Sequence, residues 1–182
     1  MGKRSDFKRN PRDYYSTPYK AALPLKTHLP NTFCFVEPCA GGSRLTKHLK
    51  SFGGDCLVEY DIEPQDKNIL TLDALTLERR HIPNDTDFII TNPPWDRSKK
   101  SGYLLHSLIE VFANLRPTWL LIDSDWSNNI SAAPYIENYC EKIVPIGRVS
   151  FFGGGVAGKD NISWYLFDIN KSEPTIFIPR GM

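Results

Sequence analysis

Five short apolar runs, each halted by an acid or by a proline pair, frame what this chain of 182 residues can fold into. Phe33-Cys34-Phe35-Val36 stops at Glu37-Pro38, Cys56-Leu57-Val58 runs into Glu59-Tyr60-Asp61, and Ile69 to Leu72 ends at Asp73. Phe88-Ile89-Ile90 gives way to Thr91-Asn92-Pro93-Pro94, and Trp119-Leu120-Leu121-Ile122 to Asp123. Runs this short and this apolar read as strands covered on both faces. Between them, Ser43 to Lys50 (closed by Gly53-Gly54), Tyr103 to Leu115 and a weaker stretch near Pro134 to Tyr139 carry helical signals. Lys142 to Ser150 and Ser163 to Asp168 add two late strands, joined by a glycine-rich loop from Phe152 to Asn161. Strands alternating with helices predict an α/β fold: a mostly parallel seven-stranded sheet, helices on both faces, and an antiparallel end hairpin.

The length fits a single domain over residues 1–182. No apolar run approaches the roughly 20 residues that span a bilayer. Met1-Gly2-Lys3-Arg4-Ser5-Asp6 lacks the apolar stretch of a secretory signal. A cytoplasmic protein without membrane attachment is expected. Cys34, Cys39, Cys56 and Cys140 form no C-x-x-C pair and have no histidines at zinc-ligand spacing, so reduced thiols and no metal are the reading. Lys3, Arg4, Lys8, Arg9, Arg12 and Lys20 crowd the first twenty residues. Residues 1–12 therefore read as a flexible basic arm, either lying along phosphates or simply solvated.

The polar residues that close the strands carry the chemistry, because open α/β sheets bind ligands beyond their carboxyl ends. In Asn92-Pro93-Pro94-Trp95 two prolines fix φ and remove two backbone donors. The Asn92 side-chain oxygen and the Pro93 carbonyl then form two acceptors suited to an –NH2 group, with Trp95 as a stacking face. In Glu37-Pro38-Cys39-Ala40-Gly41-Gly42-Ser43 the glycines permit close approach of a ligand, and Glu37 can pair with an ammonium. Asp61, in Asp61-Ile62-Glu63-Pro64, lies about 20 residues past the glycines, where nucleotide-binding folds hold ribose hydroxyls. Glu59 competes for that role. Asp73-Ala74 closes the third strand, where a carboxylate can accept from an adenine amino group. A nucleoside-containing cofactor follows from these acids taken together.

The chain resembles the class I S-adenosylmethionine-dependent methyltransferases, and among them the small Dam-like and phage-type DNA adenine-N6 methyltransferases. The resemblance runs from Asp13 to Asp168 and includes Asp13-Tyr14-Tyr15-Ser16-Thr17-Pro18, similar to the cofactor-binding segment such enzymes place before the first strand. It implies a Rossmann-like fold and S-adenosyl-L-methionine as cofactor. It also implies a cofactor set of Tyr15, Thr17, Glu37, Pro38, Ala40, Gly41, Asp61, Ile62, Asp73, Ala74 and Asn92, with Asn92, Pro93, Pro94 and Trp95 as the catalytic tetrapeptide. Thr17 and Glu37 would meet the methionine end and Asp73 the adenine. Asp61 is preferred to Glu59 for the ribose because the family's acid precedes a proline by three positions, as Asp61 precedes Pro64.

The implied activity is methylation of the adenine N6 amine in DNA. The implied partner is a nucleic acid, DNA first and RNA second. Direct transfer, with no covalent enzyme intermediate, fits the absence of a cysteine at the fourth strand's end. Family members commonly carry a separate target-recognition domain, and this chain has no room for one. Recognition falls to Asp96 to Ser101, Ser124 to Ala132 and Gly153 to Asn161, or to a partner or self-association. Alternatives are an RNA adenine-N6 methyltransferase, a protein-glutamine N5-methyltransferase, and a non-catalytic nucleotide or nucleic-acid binding module. Cytosine-N4 enzymes favour Ser or Asp before Pro-Pro, which argues against them.

Overall fold

A computed structural model describes residues 15–95, 104–151 and 161–179. The basic arm, the Asp96 to Ser101 loop and all but the last residue of the Gly153 to Asn161 loop lie outside the described residues. The strands are β1 (Phe33–Glu37), β2 (Gly54–Asp61), β3 (Leu70–Thr71), β4 (Phe88–Thr91), β5 (Thr118–Asp123), β6 (Cys140–Arg148), β7 (Asn161–Phe167) and β8 (Ile176–Phe177). The α-helices are α1 (Tyr19–Ala22), α2 (Arg44–Lys50), α3 (Leu104–Ala113) and α4 (Ala133–Tyr139). One sheet runs in the order β3-β2-β1-β4-β5-β7-β6-β8. It is parallel except for β7, which pairs antiparallel with β5 and with β6.

The expected seven strands become eight. Ile176–Phe177 pairs parallel to β6, and Ile178 N donates to the Ile143 carbonyl at 2.9 Å. Two exposed apolar residues carry no period, so the sequence offered no signal for this edge strand. Connections across β3 are 3-10 turns, at Ala74–Thr76 and Arg79–His81, rather than helices. Among the described residues no helix is long and apolar enough to cross a membrane.

Strand alternation sorts the core into two layers. Val36, Ile89, Leu120, Ile122, Tyr165 and Phe167 face α3 and α4. Phe35, Ile90, Trp119, Leu121, Trp164 and Leu166 face α1 and α2. β5 is buried along its whole length, which is why it reads as an unbroken apolar run. The Trp164 indole N–H donates to the Ala21 carbonyl at 2.8 Å, a buried bond that fastens α1, and the segment before it, to the sheet.

The turn from α2 into β2 depends on Gly53, whose φ of 103° falls in the region open mainly to glycine. A Cβ there would lie 2.0 Å from the Asn31 carbonyl oxygen. Backbone strain and overpacking each cost about 1–3 kcal/mol in such places. Gly53→Ala should therefore lower unfolding free energy by about 2–4 kcal/mol in urea titration, with the m-value unchanged. A loss below about 0.5 kcal/mol would mean that the turn relaxes freely.

Candidate functional site

The carboxyl ends of β1, β2, β3 and β4 converge on a cleft of about 890 Å³. Tyr15, Thr17, Glu37, Pro38, Ala40, Gly41, Asp61, Ile62, Asp73, Ala74, Asn92 and Pro94 all line it, so residues scattered through nearly eighty positions meet at one place. Pro93 and Trp95 are not among its lining. Pro93 is buried, and Trp95 packs partly buried against the α1–α2 core layer. The Trp95 indole N–H donates to the Leu121 carbonyl at 3.1 Å, and its ring meets Phe151 edge-on at 6.0 Å.

The β1–α2 turn is built around Asp61. One carboxylate oxygen accepts from Gly41 N at 2.7 Å and the other from Glu63 N at 2.8 Å. Ala40 N donates to the Tyr60 carbonyl at 2.9 Å and Gln65 N to the Gly41 carbonyl at 2.8 Å. Asp61 thus ties two strand ends together while facing the cleft. Gly41 and Ser43 take positive φ values of 55° and 58°. The second of these, on a non-glycine residue, delays the helix start to Arg44, one residue later than the sequence suggested. Glu59 does not line the cleft, and its Oε1 is buried without a hydrogen-bond partner.

Glu37 is 2% exposed at the cleft wall and accepts a short hydrogen bond from the Thr46 hydroxyl. It lies in register beside Glu59. Burial pushes its carboxyl well above the usual range, and Glu59 and Asp61 push the same way, while the Thr46 hydroxyl opposes them. Burial likewise drives the neighbouring Cys39 thiol upward, which keeps it un-ionised and unreactive.

Asn92 is oriented from the far side of the sequence. Its Nδ2 donates to Thr17 Oγ1 at 3.2 Å and to the Tyr15 carbonyl at 3.4 Å. Its donors are thereby engaged, and Oδ1 accepts no hydrogen bond among the described residues. The amide acts as an acceptor at the end of β4. Asp73 accepts from Leu75 N at 3.0 Å, which holds the Leu75 side chain at the cleft rim. Leu75 and Ile62 stay 40% and 51% exposed there, giving two apolar surfaces for a flat ring. Leu75, Leu104 and Leu108 escaped sequence reasoning. The last two share the helical spacing of core positions on α3, and nothing in that pattern separates a wall residue from a core one.

Several solved structures share this architecture. One is a candidate RNA methyltransferase from Pyrococcus horikoshii, 12% identical with a TM-score of 0.59 over 96% of this chain and 95% of that one. Another is a candidate class I S-adenosylmethionine-dependent methyltransferase from Listeria monocytogenes, 11% identical with a TM-score of 0.54 over 88% and 62%. A third is the M protein of the type I restriction enzyme EcoKI, 10% identical with a TM-score of 0.56 over 84% and 44%. The chain spans less than two thirds of the length of the Listeria and EcoKI proteins. No family profile matches the sequence. No curated protein matches it either. At these identities the likeness is one of fold: the chain has the Rossmann-like fold of class I methyltransferases, as its sequence led us to expect.

The raised Glu37 carboxyl has a consequence for stability. A carboxyl raised in the folded state binds its proton more tightly there than in the unfolded chain. Its contribution is fully present below the unfolded value, about 4.3, and fades as pH climbs through the folded value. Glu37→Gln keeps the shape and removes the titration. Urea unfolding between pH 4.5 and pH 8 should show parent stability falling relative to Glu37→Gln. Parallel curves would mean that Glu37 titrates normally.

Proposed function

We propose that this chain is an S-adenosylmethionine-dependent methyltransferase that methylates the N6 amine of adenine in DNA. The observation that carries the reading is the Asn92 amide, turned by Thr17 and Tyr15 so that an acceptor stands at the mouth of an acid-lined cleft. The cleft suits the cofactor. Glu37, Asp61, Glu63 and Asp73 line it against one cation, Arg44, which favours a positively charged ligand bearing hydroxyl and amino donors. Ile62 and Leu75 offer the faces between which an adenine ring fits. When bound, the cofactor supplies an electrophilic methyl group on a sulfonium.

Glu37 would meet the ammonium of the cofactor's methionine end. The target amine donates its hydrogens to Asn92 Oδ1 and to the Pro93 carbonyl, which keeps its lone pair out of conjugation with the ring. With the cofactor held by the cleft, that lone pair would take the methyl group as the methyl–sulfur bond gave its electrons to sulfur, and the surplus amine proton would leave to solvent. Catalysis is chiefly positioning. Trp95, fixed by the Leu121 carbonyl outside the cleft, is the face on which a flipped base stacks. RNA remains the nearest alternative substrate, and the likeness to an RNA methyltransferase fold supports keeping it in every assay.

Labelled S-adenosylmethionine with DNA, RNA and protein acceptors, followed by nucleoside and amino-acid analysis, tests the proposal. N6-methyladenine from DNA is the expected product. Asn92→Ala should slow single-turnover transfer by on the order of 10² or more, the scale of losing one group that acts in the transition state. Thr17→Val, which frees the amide without removing it, should cost far less. Transfer at the parent rate by Asn92→Ala would overturn the amine-methylation mechanism.

A further inference from the structure

The face made by α1, the following 3-10 turn and α2 carries charge of one sign only. From Tyr15 to Gly54 the sole acid is Glu37, and it is buried at the cleft wall. Arg44, Lys47 and Lys50 project from α2 at a spacing of three, all exposed, while Leu45, Thr46 and Leu49 point inward. Lys20 on α1 and Lys26 in the 3-10 turn at Leu23–His28 are exposed as well. Ring contacts show that these elements form one surface. Tyr19 meets His48 at 5.3 Å and Phe52 at 5.9 Å, and Lys26 Nζ lies 5.8 Å over the Phe52 ring.

None of the five forms an ion pair among the described residues. A solvated helix face ordinarily interleaves both signs, since like charges at neighbouring helical positions repel. Here the repulsion is left standing. Tyr19, 47% exposed, adds an aromatic surface among the lysines, the pairing of stacking platform and positive track that nucleic acids use. The surface also abuts the cleft, because Arg44 lines it and Tyr15 to Thr17 lead from it into α1. We propose that the α1–α2 face holds the phosphate backbone of the nucleic acid on the approach to Asn92. This rests on the reading of the chain as a nucleic-acid methyltransferase.

The test is fluorescence anisotropy of the full chain with a labelled 20-nucleotide DNA, single-stranded and duplex, across a range of salt. Arg44 stays unaltered because it lines the cleft. Lys47→Glu and Lys50→Glu should each reduce the slope of log affinity against log salt by about 1, and the double variant by about 2. Affinity of the double variant at low salt should fall roughly tenfold or more. Arg80→Glu, a reversal at an exposed cation in the 3-10 turn Arg79–His81, whose neighbours Leu77 and Ile82 pack in the other core layer, should leave slope and affinity near the parent. Unchanged binding by the double variant, an equal loss from Arg80→Glu, or no binding by the parent would each overturn the surface. Methyl transfer to an adenine dinucleotide, which offers a single phosphate, separates the two claims. The double variant should keep it. If no protein transfers a methyl group, the amine-methylation reading fails while the anisotropy result still decides the surface.

Discussion

Ile89, Ile90, Leu120 and Leu121 are each 0% exposed, two facing one helical layer and two the other. A sheet covered in this way has no room for an unpaired charge along its strands, because an ionised group in such surroundings costs several kcal/mol or takes up a proton. The cleft's polar residues lie at the strand ends, and parallel pairing brings those ends to one edge. Glu37, Asp61, Asp73 and Asn92 are therefore neighbours, although the chain spreads them over four strands. The long cleft follows from the same constraint. The connections beyond β2 and β3 are turns rather than α-helices, so this edge stays open over Asp61 and Asp73.

Asp61 shows how one side chain serves both the architecture and the site. Its carboxylate collects two backbone N–H groups, from Gly41 and Glu63, and so fixes the glycine turn against the end of β2. Hydrogen bonds to charged acceptors are among the stronger ones a fold can make. Each oxygen accepts one of these bonds and has a second lone pair to spare. Glu37 is the counterpart. It is buried and lies beside Glu59, and both raise its carboxyl above the usual range. With Asp61, Glu63 and Asp73 also lining it, the cleft favours a cation over a neutral ligand.

Much of this was legible in the sequence, and the reasons are local. Phe88 to Ile90 ending at Asn92-Pro93-Pro94 is a strand with a rigid stop, and both signals sit within seven residues. The alternation of strand and helix gave the layers. What escaped depends on distance. The Asn92 amide is oriented by Thr17, 75 residues earlier, and no spacing rule connects them. Leu104 and Leu108 on α3 look like core residues and are cleft residues only because the helix crosses the strand ends. β8 is two residues long and owes its existence to an open edge on β6. The raised Glu37 carboxyl follows from its burial, and Glu59, set beside it by the β1–β2 register, adds to the shift.

The segment from Tyr15 to Ala22 ties the two halves of the proposed reaction together. Trp164 anchors its far end through the Ala21 carbonyl, and His48 meets the Thr17 carbonyl at 3.2 Å. At its near end Thr17 and Tyr15 hold the Asn92 amide. The same short stretch lines the cleft where the cofactor's methionine end is proposed to lie. Anything that orders this stretch over a bound cofactor would also steady the Asn92 amide. Such coupling requires no moving domain. It needs only that one strand-end side chain and one cofactor-binding segment share a hydrogen bond, which they do.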